Sequence, residues 1–534
     1  MRKQLAFKTT TPYFVHAIHQ TSVKPPTIWS HHGVRCSHHG AAQQPERPVP
    51  ATGGPSAAPR STRPFATLNS SIPFTNPPTA PPLSILPLST ILRSLFVTTI
   101  SSSPLLFTPS LAFLSVVANP ESTFLNPDRN PIIKLIMGQT LYAQFCAGET
   151  PAEAKVNIQK LKQIGYSGVI LGYAREIVMD ENETRALAQL TDTEEAAESK
   201  AQAIADITAW KKGTLATVDL ADDGDFVALK FTGAGKGSVQ QLLRRSAPSP
   251  ALRKAIIEIC ERAKARNVRL LFDAEQQAVQ PAIDDWTLEF QRIYNKGLDQ
   301  RAVIYGTYQA YLRSTPATLS QHLAIAQAEG FALGVKLVRG AYLGSEPRHL
   351  IWDTKQETDN TYDGIAESLI KQQYGDVLKP HHYLPSSGGT RITSAQRKEQ
   401  QYPQFPKVDL LLASHNRVSV ERAKKLRDEQ KRTTGANQIE MAYGQLFGMA
   451  DDISCQLVQA GKCAREQQAE GVMVDVEAPK ICKYLVWGTV GECALYLLRR
   501  AQENRDAASR TEDTRKAMAK ELRRRLVGGS YGNC

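Results

Sequence analysis

Short apolar runs alternate with longer amphipathic stretches from about residue 132 to residue 504 of the 534-residue chain. The apolar runs predict strands, and the stretches between them, which place apolar residues at helical spacing, predict helices. The predicted strands are Ser167–Leu171, Phe226–Phe231, Arg269–Asp273, Ala302–Gln309, Leu333–Val338, Val408–Ser414, Ile439–Gln445 and Lys483–Val486. The predicted helices are Arg185–Lys211, Val239–Ala265, Ile283–Asn295, Leu319–Ala328, Tyr362–Gln373, Val418–Gln430, Phe447–Ala460 and Val490–Asn504.

This alternation predicts an α/β fold built from parallel β/α units. A span of about 370 residues fits one (β/α)8 barrel of the TIM type with insertions. A doubly wound sheet is the alternative, but no Gly-x-Gly-x-x-Gly motif follows an early strand. Two stretches interrupt the pattern: a long helical insertion at about residues 176–222, and a flexible surface insertion at about residues 375–407.

The first 130 residues differ from the rest in charge. They hold ten Lys and Arg but three Asp and Glu, which is +7 of the chain's total of +12. The start is basic and rich in Ser, Thr, Pro and His, with no acid before Glu46, which is typical of an organellar transit peptide. We therefore expect residues 1–85 to be a disordered mitochondrial targeting leader; a disordered tail without an address is the alternative. Because much of the basic excess lies there, we expect no nucleic-acid partner.

Two further segments have the composition of membrane-surface elements. Residues 94–120 carry no charge but contain nine Ser and Thr and two internal prolines, which favours two short helices or a membrane-surface segment over a membrane span. We accordingly expect a membrane-proximal helical segment at residues 86–130 and the catalytic domain at 131–534. Residues 510–526 predict a basic amphipathic helix, either solvated or docked on a membrane surface.

Polar residues stand at several predicted strand ends, where (β/α)8 barrels place their chemistry. These residues are Lys230, Asp273, Gln309, Lys336, Arg339, Tyr342, Ser414, His415, Asn416 and Tyr484. Each alone is most simply a surface residue or part of a structural ion pair, but their convergence favours a site. The adjacent Arg499 and Arg500 suit a small carboxylate, because guanidinium groups pair with it bidentately. Gly340 and Ala341 would let a large planar or phosphorylated ligand approach the backbone.

Neither the histidines nor the cysteines form a recognisable metal-binding pattern. His381 and His382 lie in the second insertion without a carboxylate or cysteine at ligand spacing. The eight cysteines are scattered, with no Cys-x-x-Cys pair, which argues against a disulfide scaffold and a zinc ribbon. We expect no metal.

Five sequence strings in order resemble the proline dehydrogenase family, and most nearly its fungal mitochondrial single-function form. They are KLVRGAYL, LLFDAE, ASHN, YGQLFGMADDIS and YLLRRAQEN, and the resemblance covers about residues 88–526. It implies a (β/α)8 barrel whose last helix lies over the barrel mouth. It also implies an FAD enzyme that oxidises L-proline to Δ1-pyrroline-5-carboxylate and passes the electrons to membrane quinone. The implied location is the matrix side of the mitochondrial inner membrane.

The same resemblance assigns residues to the two sides of the site. On the substrate side, Arg499 and Arg500 would clamp the proline carboxylate, and Glu503 would hold the arginines. The other substrate-side residues would be Lys230, Asp273, Tyr342, Leu446 and Tyr484, with Asp273 also helping to hold the arginines. Lys336 would face flavin N5, where its positive charge could stabilise the reduced flavin. The remaining cofactor residues would be Gln309, Val338, Gly340, Ala341, Thr358, Ser414, His415 and Asn416.

Three alternatives compete with proline oxidation. The substrate could be hydroxyproline, although Tyr484 stands where the resemblance implies a tyrosine that excludes the 4-hydroxyl group. The chain could be a catalytically inactive membrane-associated barrel, although Lys230, Asp273, Arg499, Arg500 and Glu503 are all present. It could also be an unrelated flavin barrel that reduces folate-like substrates, which the RRxxEN ending does not fit.

Overall fold

The structure is a computed structural model. It describes residues 81–118, 123–175, 177, 184, 189, 197–297, 301–381, 404–435, 439–472, 474–506 and 508–528. The leader up to residue 80, most of residues 176–196 in the first predicted insertion and residues 382–403 in the second lie outside the described residues.

Eight parallel strands form a closed barrel, with each strand paired to its sequence neighbours and the last paired to the first. The strands are β1 Gly168–Tyr173, β2 Phe226–Leu229, β3 Arg269–Phe272, β4 Ile304–Gln309, β5 Leu333–Val338, β6 Val408–Ala413, β7 Met441–Leu446 and β8 Ile481–Trp487. The pairing of β1 with β8 runs from Gly168–Cys482 to Tyr173–Trp487. All eight strand predictions and the barrel are confirmed, and the doubly wound alternative is wrong because the sheet closes.

The described α-helices of more than three residues lie before, between and after the strands. They are α1 Leu88–Ser102, α2 Pro104–Ala118, α3 Pro131–Met137, α4 Pro151–Ile164, α5 Ala197–Leu220, α6 Lys236–Leu243, α7 Pro250–Ala265, α8 Gln280–Tyr294, α9 Thr315–Glu329, α10 Lys355–Lys371, α11 Arg417–Thr434, α12 Asp451–Ala469, α13 Val490–Asp506 and α14 Ala508–Leu526. The helix predicted over Val239–Ala265 is two helices. The break follows from the sequence, because Ser249 caps α7 by accepting from the Leu252 N–H and Pro250 opens its first turn.

Two apolar layers hold the barrel together. Inside it, Phe226 and Tyr305 pack edge to face with ring centroids 5.6 Å apart, among small and aliphatic residues of the other strands. Outside it, a continuous buried cluster joins the strands to the helices that surround them. Helix α5 belongs to this outer layer, since Trp210 and Val218 are buried in it. The layers leave the strand ends in fixed positions, which is the condition for a preorganised site.

Helix α13 lies over the barrel mouth, as the resemblance implied. It begins three residues after β8 ends, yet the guanidinium carbon of Arg499 lies 6.0 Å from the ring centroid of Tyr342, which follows β5. Only a helix that crosses the mouth can bring these two residues together. Helices α1 and α2 pack on α13 through a second apolar cluster that includes Phe107, Leu114 and Leu497.

Helices α1 and α2 lie within the segment predicted to be membrane-proximal. In the described part of the chain, no individual helix has the length and apolarity of a membrane span. The two helices reach that threshold only when taken together, and they are bent by 99° relative to each other.

Candidate active site at the barrel mouth

Asp273 joins three strand ends at the centre of the mouth. Its Oδ1 accepts from Lys336 Nζ at 2.5 Å, and both side chains are more than nine-tenths buried. Its Oδ2 accepts from the Tyr484 hydroxyl at 3.4 Å. The carboxylate is therefore bound by residues of β5 and β8. Lys336 Nζ also lies 5.4 Å from the Tyr484 ring centroid, so the three side chains form one compact cluster.

Tyr342 connects the barrel to the helix above it. Its phenol oxygen accepts from Lys230 Nζ at 3.1 Å, which links the loop after β5 to the end of β2. The same ring lies 6.0 Å from the guanidinium carbon of Arg499. Tyr342 is 5% exposed, so it forms part of the wall between a lysine and an arginine. These contacts bring together three residues that the sequence placed in the site.

Arg500 is held in place on α13. It is 6% exposed, its Nη2 donates to Glu503 Oε1 at 2.7 Å, and its guanidinium carbon lies 5.0 Å from the Tyr496 ring centroid. This pair replaces the exposed Arg499–Glu503 pair that residue spacing alone suggests. The buried Nε of Arg500 has no hydrogen-bond partner among the described residues. A buried donor without a partner is costly, so this guanidinium suits an anionic ligand with two acceptor oxygens.

Leu446 and His415 meet on the opposite side of the mouth. The Leu446 N–H donates to His415 Nε2 at 3.0 Å, so this nitrogen carries no proton and the neutral ring is protonated on Nδ1. His415 was predicted on the cofactor side, and its Nε2 contacts the backbone of Leu446, a residue predicted on the substrate side. It therefore joins the two halves of the predicted site.

Gln309 and the turn after β5 form the predicted flavin wall. Gln309 is 2% exposed and accepts from the Ala341 N–H through Oε1 at 3.0 Å. Gly340 has a φ of 152°, and an added Cβ would lie 2.4 Å from the Tyr311 ring. No larger residue fits there, so the exposed backbone of Gly340 and Ala341 is open to a flat ligand. Val338, which ends β5, is half-buried below this turn.

The N-terminus of α11 points to the same end of the barrel. Asn416 caps it by accepting from the Ser419 N–H at 3.3 Å, and the Ser414 hydroxyl accepts from the Asn416 N–H at 3.1 Å. A helix N-terminus carries partial positive charge and favours phosphate groups. Arg339 adds a cation there, since it donates to the Ser419 hydroxyl and pairs with Asp359. Thr358 precedes Asp359 on α10 and is half-buried.

These features fit the two ends of FAD. The open backbone after β5 and the cation at Lys336 suit a flat ring system that gains negative charge on reduction. The capped N-terminus of α11 suits a diphosphate. Among the described residues, no group of three or more His, Cys, Asp or Glu is arranged to hold a metal ion.

Glu275 is a buried member of the site to which the sequence analysis assigned no role. It is 3% exposed and accepts from both the N–H and the hydroxyl of Thr232, two residues after Lys230. Its backbone carbonyl accepts from Gln309 Nε2 at 3.3 Å. A polar chain thus runs across four strand ends, from Thr232 through Glu275 and Gln309 to Ala341. The signal was present in LLFDAE, as a second acid two residues after Asp273.

A cavity of about 470 Å³ lies between α8 and α9, and Gln309 at the end of β4 is among the residues that line it. Asp284 lines it and accepts from Gln280 Nε2 at 2.7 Å. Burial is the main cause that raises the pKa of the Asp284 carboxyl to about 7 from its ordinary value of 3.8, and the neighbouring Asp285 adds to the shift.

Asp284→Asn is expected to stabilise the protein at pH 8 but not at pH 4. The folded state keeps the Asp284 proton up to about pH 7, whereas the unfolded state loses it near 3.8, so stability falls as the pH rises between these values. Asparagine has no proton to lose in this pH range, so its stability does not fall in this way. We expect its free energy of unfolding at pH 8 to exceed the parent's by about 2 kcal/mol, after allowance for the partial exposure of the side chain. Urea unfolding at both pH values measures it, with Asp376→Asn, a change at an exposed aspartate away from this cavity, as the control. An Asn variant less stable than the parent at pH 8 contradicts the assignment.

Three comparisons with known proteins bear on this site. The sequence profile described as proline dehydrogenase matches residues 154–513. The probable mitochondrial proline dehydrogenase of Schizosaccharomyces pombe is 30% identical over 477 residues, which cover 81% of this chain and 87% of that protein. This chain belongs to the proline dehydrogenase family. The resemblance that the motifs indicated, including the fungal one, is thereby confirmed.

Two other similar proteins share only part of their length with this member of the family. The hydroxyproline dehydrogenase of Bos taurus is 30% identical over 270 residues, which are 51% of this chain and 50% of that protein. A crystal structure of proline utilization A from Bdellovibrio bacteriovorus aligns with a TM-score of 0.49 and 17% identity, over 78% of this chain and 38% of that chain.

Proposed function

We propose that this chain oxidises L-proline to Δ1-pyrroline-5-carboxylate, using FAD as the hydride acceptor and membrane quinone as the final acceptor. The observation that carries the proposal is the buried Lys336–Asp273–Tyr484 cluster beneath the arginines of α13, in a chain of the proline dehydrogenase family. We place the enzyme in mitochondria, on the matrix side of the inner membrane. Support for this location comes from the leader composition and from the similarity to the mitochondrial protein of S. pombe.

The arginines of α13 bind and orient the substrate carboxylate. Arg500 has a buried Nε without a partner among the described residues, and Glu503 fixes the other edge of its guanidinium. Arg499 lies beside Tyr342 at the same opening. Two guanidinium groups on one helix would hold both oxygens of the carboxylate in fixed positions. Orienting the substrate in this way can lower the activation barrier by several kcal/mol.

Three side chains would enclose the pyrrolidine ring. Tyr342, Leu446 and Tyr484 come from different strand ends, and hydrogen bonds to Lys230, His415 and Asp273 hold their positions. With α13 over the mouth, these walls exclude water from the carbon that loses hydride. Asp273 is already bound by Lys336 and Tyr484, so its role is to orient these groups.

The cofactor supplies the two-electron chemistry, because no side chain of the site can accept a hydride. Lys336 would hold a positive charge beside the flat ring, and Gln309, Val338, Gly340 and Ala341 would hold its plane. Ser414, His415, Asn416 and Thr358 would lie toward the diphosphate and adenine. The chain's contribution is binding, orientation and electrostatic stabilisation.

Turnover with a soluble acceptor tests the proposal. Protein supplied with FAD should form a cyclic imine from L-proline and reduce a soluble redox dye in equal amount. D-proline is the matched control, because it presents the opposite hydrogen to the same carboxylate clamp. Equal rates with both enantiomers, or no imine, would contradict the assigned site.

The bovine relative makes hydroxyproline the competing substrate. The Tyr484 hydroxyl is fixed between Asp273 and Gly172, where an added Cβ would lie 2.8 Å from it. A hydroxyl held this firmly leaves little room for a 4-hydroxyl group on the ring. The geometry therefore favours unsubstituted proline.

In the Tyr484→Phe variant, the ratio of kcat/KM for proline to kcat/KM for hydroxyproline is expected to fall about tenfold. Removing the phenol hydroxyl relieves its clash with the 4-hydroxyl group of the substrate, which is worth about 1–2 kcal/mol. The measurement is the ratio of kcat/KM values for the two substrates. Tyr496→Phe is the matched control, since that ring lies beneath Arg500 on α13. An unchanged ratio in the Tyr484 variant would remove its specificity role.

Glu275→Ala is expected to weaken both folding and FAD binding. It leaves the Thr232 donors buried without an acceptor, at a cost of about 2 kcal/mol, and it loosens the support of Gln309. We expect the Kd for FAD to rise about tenfold, with Glu275→Gln intermediate. Fluorescence quenching of added FAD and urea unfolding measure the two effects. If only folding changes, Glu275 does not position the flavin wall.

A further inference from the structure

The first turn of α13 is closed by a capping box. Thr489 directly precedes the helix, and its hydroxyl oxygen accepts from the Glu492 N–H at 3.2 Å. Glu492 Oε2 accepts in return from the Thr489 N–H at 2.9 Å. The N–H of Gly491 lies between these residues, and the helix offers it no acceptor, because the first N–H groups of a helix have no intrahelical carbonyl partner. Its partner must come from outside the helix.

Asp128 provides this partner from a loop that precedes the barrel. Its Oδ1 accepts from the Gly491 N–H at 2.9 Å, and its Oδ2 accepts from the Thr489 hydroxyl at 2.7 Å. Its negative charge also suits the partial positive charge of a helix N-terminus. On the barrel side, the Tyr173 hydroxyl at the end of β1 donates to Glu492 Oε1 at 2.7 Å. The N-terminal end of α13 is therefore held from two sides.

The loop that presents Asp128 is held by hydrogen bonds of its own. The Asp128 N–H donates to Asn126 Oδ1 at 2.8 Å. The buried Asn130 caps α3 by accepting from the Ile132 N–H at 3.0 Å, and its Nδ2 donates to the Phe124 carbonyl oxygen at 2.8 Å. Local bonds of this kind fix turn backbone. The position of the carboxylate is therefore set by the loop as well as by its contact with α13.

Gly491 is shaped by the same contact. An added Cβ would lie 2.4 Å from Asp128 Oδ2 and 2.9 Å from its Cγ. The backbone of Gly491 is not in the left-handed region, so its conformation does not require glycine. Alanine would favour the helix more at this position. The chain thus has the weaker helix former at the point where the Asp128 carboxylate binds.

The clamp arginines lie at a distance from this anchor. Arg500 follows Gly491 by nine residues, which is about 14 Å along the helix axis. Between them, Leu497 packs in the apolar cluster with α1 and α2, and such packing is not directional. The ion pair of Arg500 with Glu503 lies within the helix and does not fix its tilt. A tilt of about 4° at the N-terminal end would move Arg500 by about 1 Å.

We propose that Asp128 is a positioning residue for the substrate clamp, because it holds the end of α13 that sets where Arg499 and Arg500 meet the carboxylate. It acts through Gly491 and Thr489. A displacement of about 1 Å from a distant change can cost about 100-fold in rate, so we expect losses of at least tenfold when the anchor is removed. The proposal rests on the proposed function in one respect, the carboxylate ligand of the clamp.

Calorimetric titration of the FAD-loaded full chain with cyclopentanecarboxylate tests this role. The probe has the ring size and carboxylate of proline but no nitrogen, so it can fill the clamp without reacting. Asp128→Ala and Gly491→Ala should each raise its Kd about tenfold or more. The KM for L-proline with a soluble dye should rise in parallel, while the FAD content stays near the parent level. Asp128→Asn should lie closer to the parent, because its side-chain oxygen can still accept from one of the two donors.

Two controls separate positioning from helix stability. Gly237 is the second residue of α6, as Gly491 is of α13, and an added Cβ there would lie 3.5 Å from Ala203 Cβ, an ordinary contact. Gly237→Ala should therefore bind the probe as the parent does. Ser249→Ala removes the cap of α7, so it should lower stability and leave the Kd unchanged. A weaker helix cannot explain a loss in Gly491→Ala, because alanine favours the helix.

The double variant Asp128→Ala/Gly491→Ala tests whether the two residues act as one. Its Kd should match that of Asp128→Ala, because the contact between them is already lost. Losses that multiply in the double variant overturn the proposal, and so does a parent-like Kd in either single variant. A parent that binds the probe, with the expected losses in the variants, but never forms an imine from L-proline keeps the role of Asp128 and refutes the proposed function.

Discussion

Arg500→Met is expected to raise the KM for L-proline about 100-fold or more while bound FAD stays near the parent level. The buried guanidinium presents a donor that has no partner among the described residues, and methionine has similar length but no charge or donors. Losing a forked, charge-assisted contact to a carboxylate costs about 3 kcal/mol or more. Steady-state kinetics with a soluble dye and the visible flavin content measure the two quantities.

Two further variants isolate the geometry of the clamp. Arg500→Lys keeps the charge but loses the fork, so it should recover only part of the affinity. Arg262→Met removes an arginine of α7 that pairs with Asp219 outside the barrel, and it should behave as the parent. If proline saturation is the same in Arg500→Met and the parent, the carboxylate clamp is wrongly assigned.

Asp273→Ala is expected to lower kcat/KM by about 1,000-fold and the free energy of unfolding by about 3 kcal/mol. Asp273 and Lys336 are both more than nine-tenths buried and lie 2.5 Å apart, so removing the carboxylate leaves an uncompensated buried ammonium. It also releases the Tyr484 hydroxyl. Dye-coupled kinetics and urea unfolding of the flavin-free protein measure the two losses.

The double variant Asp273→Ala/Lys336→Met separates stability from catalysis. Removing both charges relieves the unpaired ammonium, so the double variant should be more stable than Asp273→Ala alone. Its activity should stay low, because the orienting carboxylate and the cation beside the cofactor are both gone. Recovery of activity in the double variant would show that the pair serves folding alone.

The strands of this protein could be predicted because the barrel buries both faces of each one. β5 and β6 are mostly apolar, with one charged residue each (Lys336 and Asp409), and such runs contrast with the amphipathic helices between them. The helix predicted over Val239–Ala265 failed where Pro248 and Pro250 stand, because apolar spacing was followed through a break that the prolines and Ser249 mark.

The site could be predicted as a set of strand ends but not as a set of contacts. The sequence placed Lys336 and Asp273 in the site with separate roles, and the structure shows them as one ion pair. Glu275 was missed because its sequence signal, a second acid two residues after Asp273, does not show that the carboxylate is buried and bonded to Thr232. Helices α1 and α14 pack on each other although they are more than 400 residues apart in the sequence. Hydrophobic periodicity predicts local elements and does not show that two distant helices are in contact.

An anaerobic visible spectrum of the purified protein, recorded before and after addition of L-proline, tests the central claim most directly. We predict a yellow protein whose flavin absorbance is bleached by L-proline and not by NADH. The yellow colour reports cofactor binding, and its loss reports hydride transfer from proline, so one experiment tests both claims. A folded protein that stays colourless after FAD is supplied, or a yellow protein that L-proline leaves unchanged, would contradict the account.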